Sequence, residues 1–265
     1  MKFVALFCLA IAALHADDDL YAGWLDMYDL KFAAAHQRFD RWERARPADA
    51  LGPASHAAGY LFSELARLGV LESELFVEDK SFLHRKKLQP DPEAKRLFFE
   101  QAGRTDNLAD AALTKNASDA DALLAKSLAL GLRADYLALI ERQNLAPLDY
   151  TKRSRAFAER LLQVDPHNYD SFLGPGVENY LLSLKPAPIR WILGMTGANT
   201  DRAKGIQELK LTAEHGHYLE PFAKLLLAVA SLRAKDPGQA KIILQGLHAR
   251  FPDNPLFARE LGRLK

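Results

Sequence analysis

Two four-residue sets near opposite ends of this chain share one spacing. Gly23, Ala35, Phe39 and Pro47 form the first, and Ala228, Ala240, Leu244 and Pro252 form the second. In each, a small residue is followed twelve positions on by alanine, then four on by a large apolar residue, then eight on by proline. Small residues facing one another let two antiparallel helices approach closely. The apolar residue four along from the alanine lies on the same helix face. The proline cannot continue a helix and marks the turn to the next unit. The spacing predicts helical hairpins stacked side by side.

The rest of the chain agrees with helix. Apolar residues recur at three- and four-residue intervals nearly throughout, and strand-like alternation is absent. The pattern predicts helices over 17–27, 29–46 and 50–68, the last ended by Gly69, and a shorter one over 73–83. Pro92 suits a first helical turn, and a long stretch from there to Lys115 is expected to break near Gly103. Residues 116–119 read as a polar turn. Residues 120–142 read as a helix pair or as one helix bent near Gly131. A helix over 149–164 ends at Asp165-Pro166-His167-Asn168, and Pro252-Asp253-Asn254 repeats that closing turn. Residues 201–215 read as a helix displaced by an apolar insertion over 185–200. That insertion is expected either to pack back on the stack as a short helix or to form a contact site.

The two signatures resemble the tetratricopeptide repeat, a helix–turn–helix unit of about 34 residues. The resemblance implies an all-α fold of antiparallel helix-turn-helix repeats stacked into a right-handed α-solenoid. It gives one domain over 17–265, with units near 17–48, 120–168, 169–216 and 221–254. A second resemblance runs from Asn179 to Gly262. Leu181-Leu182-Ser183-Leu184 with Pro186, Ile189-Arg190-Trp191-Ile192-Leu193-Gly194, Gly197, Asp201-Arg202, Gly205 and Leu209 carry it. So does the tail from Ala240-Lys241-Ile242-Ile243-Leu244 through Arg250-Phe251-Pro252 to Leu256-Phe257. This third of the chain resembles the tetratricopeptide repeat 39, or inclusion body clearance, family. That resemblance implies a non-enzymatic helical scaffold.

The N-terminus bears on location. Met1-Lys2 is a short positive region, Phe3 to Leu14 an uncharged apolar run, and Leu14-His15-Ala16 a cleavage site before Asp17-Asp18-Asp19. Residues 1–16 are expected to be a secretory signal peptide; the run is shorter than the about 20 apolar residues a membrane anchor needs. The export reading places the chain in the periplasm or outside the cell, with no transmembrane segment in the mature form. It departs from the second family's pattern, so that family's cellular role is not carried over. Phe7 before Cys8 argues against a lipidation site. Cys8 is the single cysteine, so the mature chain has neither disulfide nor thiol chemistry. The chain carries 35 basic and 34 acidic side chains, and loss of Lys2 balances them. Such a balance argues against nucleic acid; the basic run His84-Arg85-Lys86-Lys87 reads as a solvated loop.

A catalytic set is not evident. Gly174-Pro175-Gly176 is no phosphate cradle, and no His-Glu-x-x-His run exists. His215-Gly216-His217 lacks a third ligand nearby and reads as a helix cap. Asn116-Ala117-Ser118 matches a glycosylation sequon, with Asn116 expected to serve the turn instead. No catalytic residue, metal or cofactor is therefore expected. Binding is the stronger expectation, because the first helix of each hairpin lines the concave side of such stacks. Residues at the groove-facing spacing are Asp170, Leu173, Val177, Tyr180 and Leu181, then Phe222, Leu225, Val229, Leu232 and Arg233. This apolar groove either takes a ligand or is filled by the protein itself. The leading expectation is an exported, non-enzymatic scaffold for unidentified protein partners in the cell envelope. The alternative is a soluble carrier for an apolar ligand or lipid. A deep cavity lined by Tyr180, Trp191 and Phe222 favours the carrier, an open concave face the scaffold, and a buried cluster of histidines and carboxylates an enzyme.

Overall fold

The computed structural model describes residues 19–70, 89–143, 146–184 and 201–264. The regular elements among them are all helical. Helix α1 covers 19–28. It is followed by α2 (Phe32–Ala45), α3 (Leu51–Arg67), α4 (Pro92–Lys115), α5 (Ala120–Asp135) and α6 (Ala146–Val164). Then come α7 (Leu173–Ser183), α8 (Arg202–His215), α9 (Glu220–Arg233), α10 (Pro237–Arg250) and α11 (Pro255–Arg263). A π-helical turn, Tyr136–Ile140, prolongs α5, and a 3-10 turn, Tyr169–Phe172, leads into α7. No helix among the described residues is long and apolar enough to cross a membrane.

Short polar residues start these helices. Asp91, Asp119, Asp201, Asp236 and Asn254 each accept a backbone N–H from the first turn of α4, α5, α8, α10 and α11. Such caps satisfy donors that the helix itself leaves free, at about 1 kcal/mol each. The closing prolines share this logic. Asp49, two residues after Pro47, accepts from Leu51 at 2.8 Å, and Asn254, two after Pro252, accepts from Leu256 at 3.0 Å. Gly69 ends α3 with φ 66°, and the Val70 N–H closes on the Leu65 carbonyl at 2.8 Å.

From α2 to α11, each helix packs on the next along the chain. The signature residues sit at the tightest contacts. A Cβ on Gly23 would fall 2.4 Å from Cε1 of Phe39, and Ala35, Phe39 and Ala240 are fully buried. In the α7–α8 pair a Cβ on Gly205 would meet the Tyr180 backbone nitrogen at 2.6 Å and the Gly176 carbonyl at 2.9 Å. In the α5–α6 pair the clasp is polar. Ser154 Oγ donates to the Ser127 carbonyl at 2.8 Å, and Ser127 Oγ to the Ser154 carbonyl at 3.0 Å.

The chain's two ends meet. Tyr28 of α1 donates to the Tyr218 carbonyl at 3.0 Å, and Asn254 Nδ2 donates to the Tyr28 carbonyl at 2.7 Å. The Asp253 N–H reaches Asp29 Oδ1 at 3.0 Å, and Arg250 donates to the Tyr21 hydroxyl at 2.8 Å. Tyr21 stacks on His217 at 4.6 Å, and Tyr28 packs against Phe251 at 5.9 Å. The row of hairpins thus closes on itself, with α1 against the loop before α9 and the junction of α10 and α11.

Two expectations are corrected. Helix α4 runs unbroken through Gly103, whose missing Cβ would meet nothing within 4 Å, so the glycine sits on an open face and forces no break. Residues 120–140 form one continuous helical run through Gly131 and not a helix pair, with the π turn Tyr136–Ile140 following α5. The signal-peptide run, the basic run, the 73–83 helix and the 185–200 insertion, with Trp191, lie outside the described residues. Asn116 does serve its turn, accepting the Ser118 N–H at 3.1 Å.

Candidate ligand cavity

The closed row of helices surrounds a cavity of about 750 Å³. Its wall is drawn from seven helices. Trp24 comes from α1, Leu61, Phe62 and Leu65 from α3, and Leu124, Leu128 and Leu132 from α5. Helix α6 gives Pro147 and Leu148, α7 gives Val177, Tyr180 and Leu181, α8 gives Leu209, and α9 gives Phe222, Leu226 and Val229. The helical period explains this apolar lining, because one stripe of each helix faces inward. The cavity meets solvent along α6 and α7, where Leu148 and Leu181 are each 44% exposed.

Leu232 is not part of its wall, and eight of the ten residues expected at the groove-facing spacing line this cavity: Asp170, Leu173, Val177, Tyr180, Leu181, Phe222, Val229 and Arg233. Leu225 does not. One helical turn from Phe222, it turns into a small niche shared with Met27, Tyr28 and Phe62. Phe62 and Phe222 meet edge-on at 5.3 Å between the two.

The polar groups on the wall differ in how well they are partnered. Asp170 is spent on the fold. Its Oδ1 accepts from the His217 and Leu219 N–H groups at 3.0 Å each, and its Oδ2 from Tyr218 at 2.9 Å. It thereby caps the entry to α9 from across the chain, although burial pushes its carboxyl up from the usual range. Arg155 pairs with Glu159 at 2.7 Å and approaches Glu178 at 3.7 Å. Among the described residues the buried Tyr180 hydroxyl has no hydrogen-bond partner, and burial raises its phenol.

Asp135 stands apart. It ends α5, makes no side-chain cap, and among the described residues its carboxyl has no hydrogen bond or ion pair. Protein encloses it, yet part of its surface stays open, on the cavity side. Burial alone pushes its carboxyl up to about 7. Sequence reasoning missed this residue. Its signal was one acid inside the apolar run Ala134-Asp135-Tyr136-Leu137.

A second polar cluster lies between α2 and α3. His36 and His56 face each other with their Nδ1 atoms 2.7 Å apart, so one nitrogen donates and the other accepts. His36 stacks on Tyr60 at 4.3 Å, and His56 Nε2 lies 3.3 Å from Asp40. Burial, more than any neighbouring charge, lowers both imidazoles to about 4. None of the four lines the cavity. His215 and His217 pack on Tyr169 and Tyr21. Among the described residues, no group of three histidine, cysteine or acidic side chains is placed to hold a metal ion.

No family model matches this chain, and no curated protein and no solved structure matches it.

Proposed function

We propose that this chain is a carrier of the tetratricopeptide-repeat type, exported from the cytoplasm, that holds an apolar small molecule or lipid among its helices. The observation that carries this reading is the cavity of about 750 Å³. Its size falls in the range of about 300–1,000 Å³ of ligand sites, and like them it is mostly apolar with a few polar groups. Space left inside a core forfeits dispersion contacts, so a chain that keeps this much is read as one that fills it with something else. The paired signatures at Gly23–Phe39 and Ala228–Leu244 support the repeat class, and the leader-like residues 1–16 support export. The non-enzymatic reading draws on the wall itself, where Ser127 and Ser154 spend their hydroxyls on each other's carbonyls.

Uptake of a neutral fluorescent probe, N-phenyl-1-naphthylamine, tests this. The expected result is saturable uptake by the full chain, weakened about tenfold or more by Val177→Trp, which fills the cavity. Wild-type chain that takes up no probe would overturn the reading.

The scaffold reading stays as a second proposal on one observation, the exposed Leu148 and Leu181 at the cavity mouth. An amphipathic partner segment would seat its apolar face there. Replacing both leucines by aspartate would then abolish partner capture. If capture survives, the mouth is not the partner surface.

A further inference from the structure

We propose that Asp135 is the anchor for the ligand's polar end, and that the ligand is an amphiphile whose head is a protonated amine. This rests on the carrier reading and deepens it. A carboxyl on the wall of an apolar cavity is costly to ionise unless a cation or hydrogen-bond donors meet it. Among the described residues Asp135 meets neither. Asp135 is part of the cavity wall, so the missing donor is to come from whatever fills that space.

The other charges on the wall point the same way. Arg155 is engaged by Glu159 and Glu178, and Arg233 interacts within the protein. Among the described residues lining the cavity, the three basic side chains, Lys152, Arg155 and Arg233, are outnumbered by five acidic ones. The charge balance inside therefore favours a cation and opposes a fatty acid, whose carboxylate would meet Asp135 as a like charge. An alcohol satisfies the acceptor without neutralising it. A protonated amine does both, through a charge-assisted hydrogen bond. The apolar wall, with Leu128, Leu132, Val177 and Phe222, takes the chain of the molecule.

The test is displacement of N-phenyl-1-naphthylamine from the full chain by decylamine, decanol and decanoate at pH 8. At that pH the Asp135 carboxyl is mostly ionised. Decylamine is expected to displace the probe at concentrations about tenfold or more below decanol, with decanoate weakest. Asp135→Asn should bring decylamine to the level of decanol and leave decanol unchanged. Glu214→Gln, exposed and away from the cavity wall, should keep the preference. Equal displacement by all three in the wild type, or an amine preference that survives Asp135→Asn, would overturn the inference and leave the carrier reading standing. Failure of the wild-type chain to bind the probe or any of the three would instead bring down the carrier reading, and this inference with it.

Discussion

Between about pH 4 and pH 7, buried groups at two places pull the stability of this fold in opposite directions. His36 and His56 are held near 4 in the folded chain, against about 6.5 for a free imidazole. As pH falls from about 6.5 through 4 the unfolded chain takes up the protons first, so their contribution is present above 6.5 and lost on acidification. Geometry adds to burial, because the two facing Nδ1 atoms cannot both carry a proton. Asp135 does the reverse. Its carboxyl sits near 7 when folded and near 3.8 when unfolded, so its contribution is present below 3.8 and lost as pH rises through 7. Asp135→Asn should therefore gain stability at pH 8, on the order of a few kcal/mol, and little or none at pH 4. Urea midpoints of both proteins across this range check it; a variant no more stable at pH 8 would show that the carboxyl is solvated after all. The sequence pattern singled out neither His36 nor His56, because their meeting depends on how α2 and α3 face each other.

At the scale of the helix pair, close approach carries most of the information. Ala240 is fully buried between α9 and α10, and Ala240→Leu should cost about 1–3 kcal/mol by overpacking. Gly205 is the more demanding position, since an added Cβ would strike backbone of α7, which has no rotamer to yield. Gly205→Ala should cost at least about 1 kcal/mol in chemical unfolding, and a neutral result would mean that α7 and α8 sit further apart. Lys235 runs the other way. It follows α9 with φ 61°, a conformation costing a side-chain-bearing residue about 1–2 kcal/mol. Lys235→Gly should leave the fold intact and raise its unfolding midpoint slightly. The two pairs that carry the matched signatures, at Ala35 and Ala240, were legible from spacing. The α5–α6 clasp was not, because Ser127 and Ser154 close it by hydrogen bonds that no apolar period reports.

Across the whole molecule, the decisive feature is that the first hairpin packs on the last. A periodic pattern fixes which face of each helix turns inward and leaves open whether the row ends in solvent or meets itself. The contacts that close it join residues near 20–30 to residues near 217–254, and they are mostly single polar or aromatic side chains. Asn254 is one of them, bridging Tyr28 and the start of α11. Asn254→Ala should cost about 1–3 kcal/mol and loosen the cavity as well, which probe release on mild heating would reveal. The same closure explains why eight of the ten groove-spaced residues share one cavity, while the sequence left open whether they line a deep cavity or an open concave face. Leu225 escaped because α9 turns it toward α1, a neighbour that exists only once the ends have met.

The measurement that tests the account most directly is native mass spectrometry of the full chain purified gently from its own source. The account predicts a bound mass of a few hundred daltons, retained in the native spectrum, absent after denaturation, and lost from Val177→Trp. A chain that flies bare under native conditions and then refuses every apolar probe would contradict it.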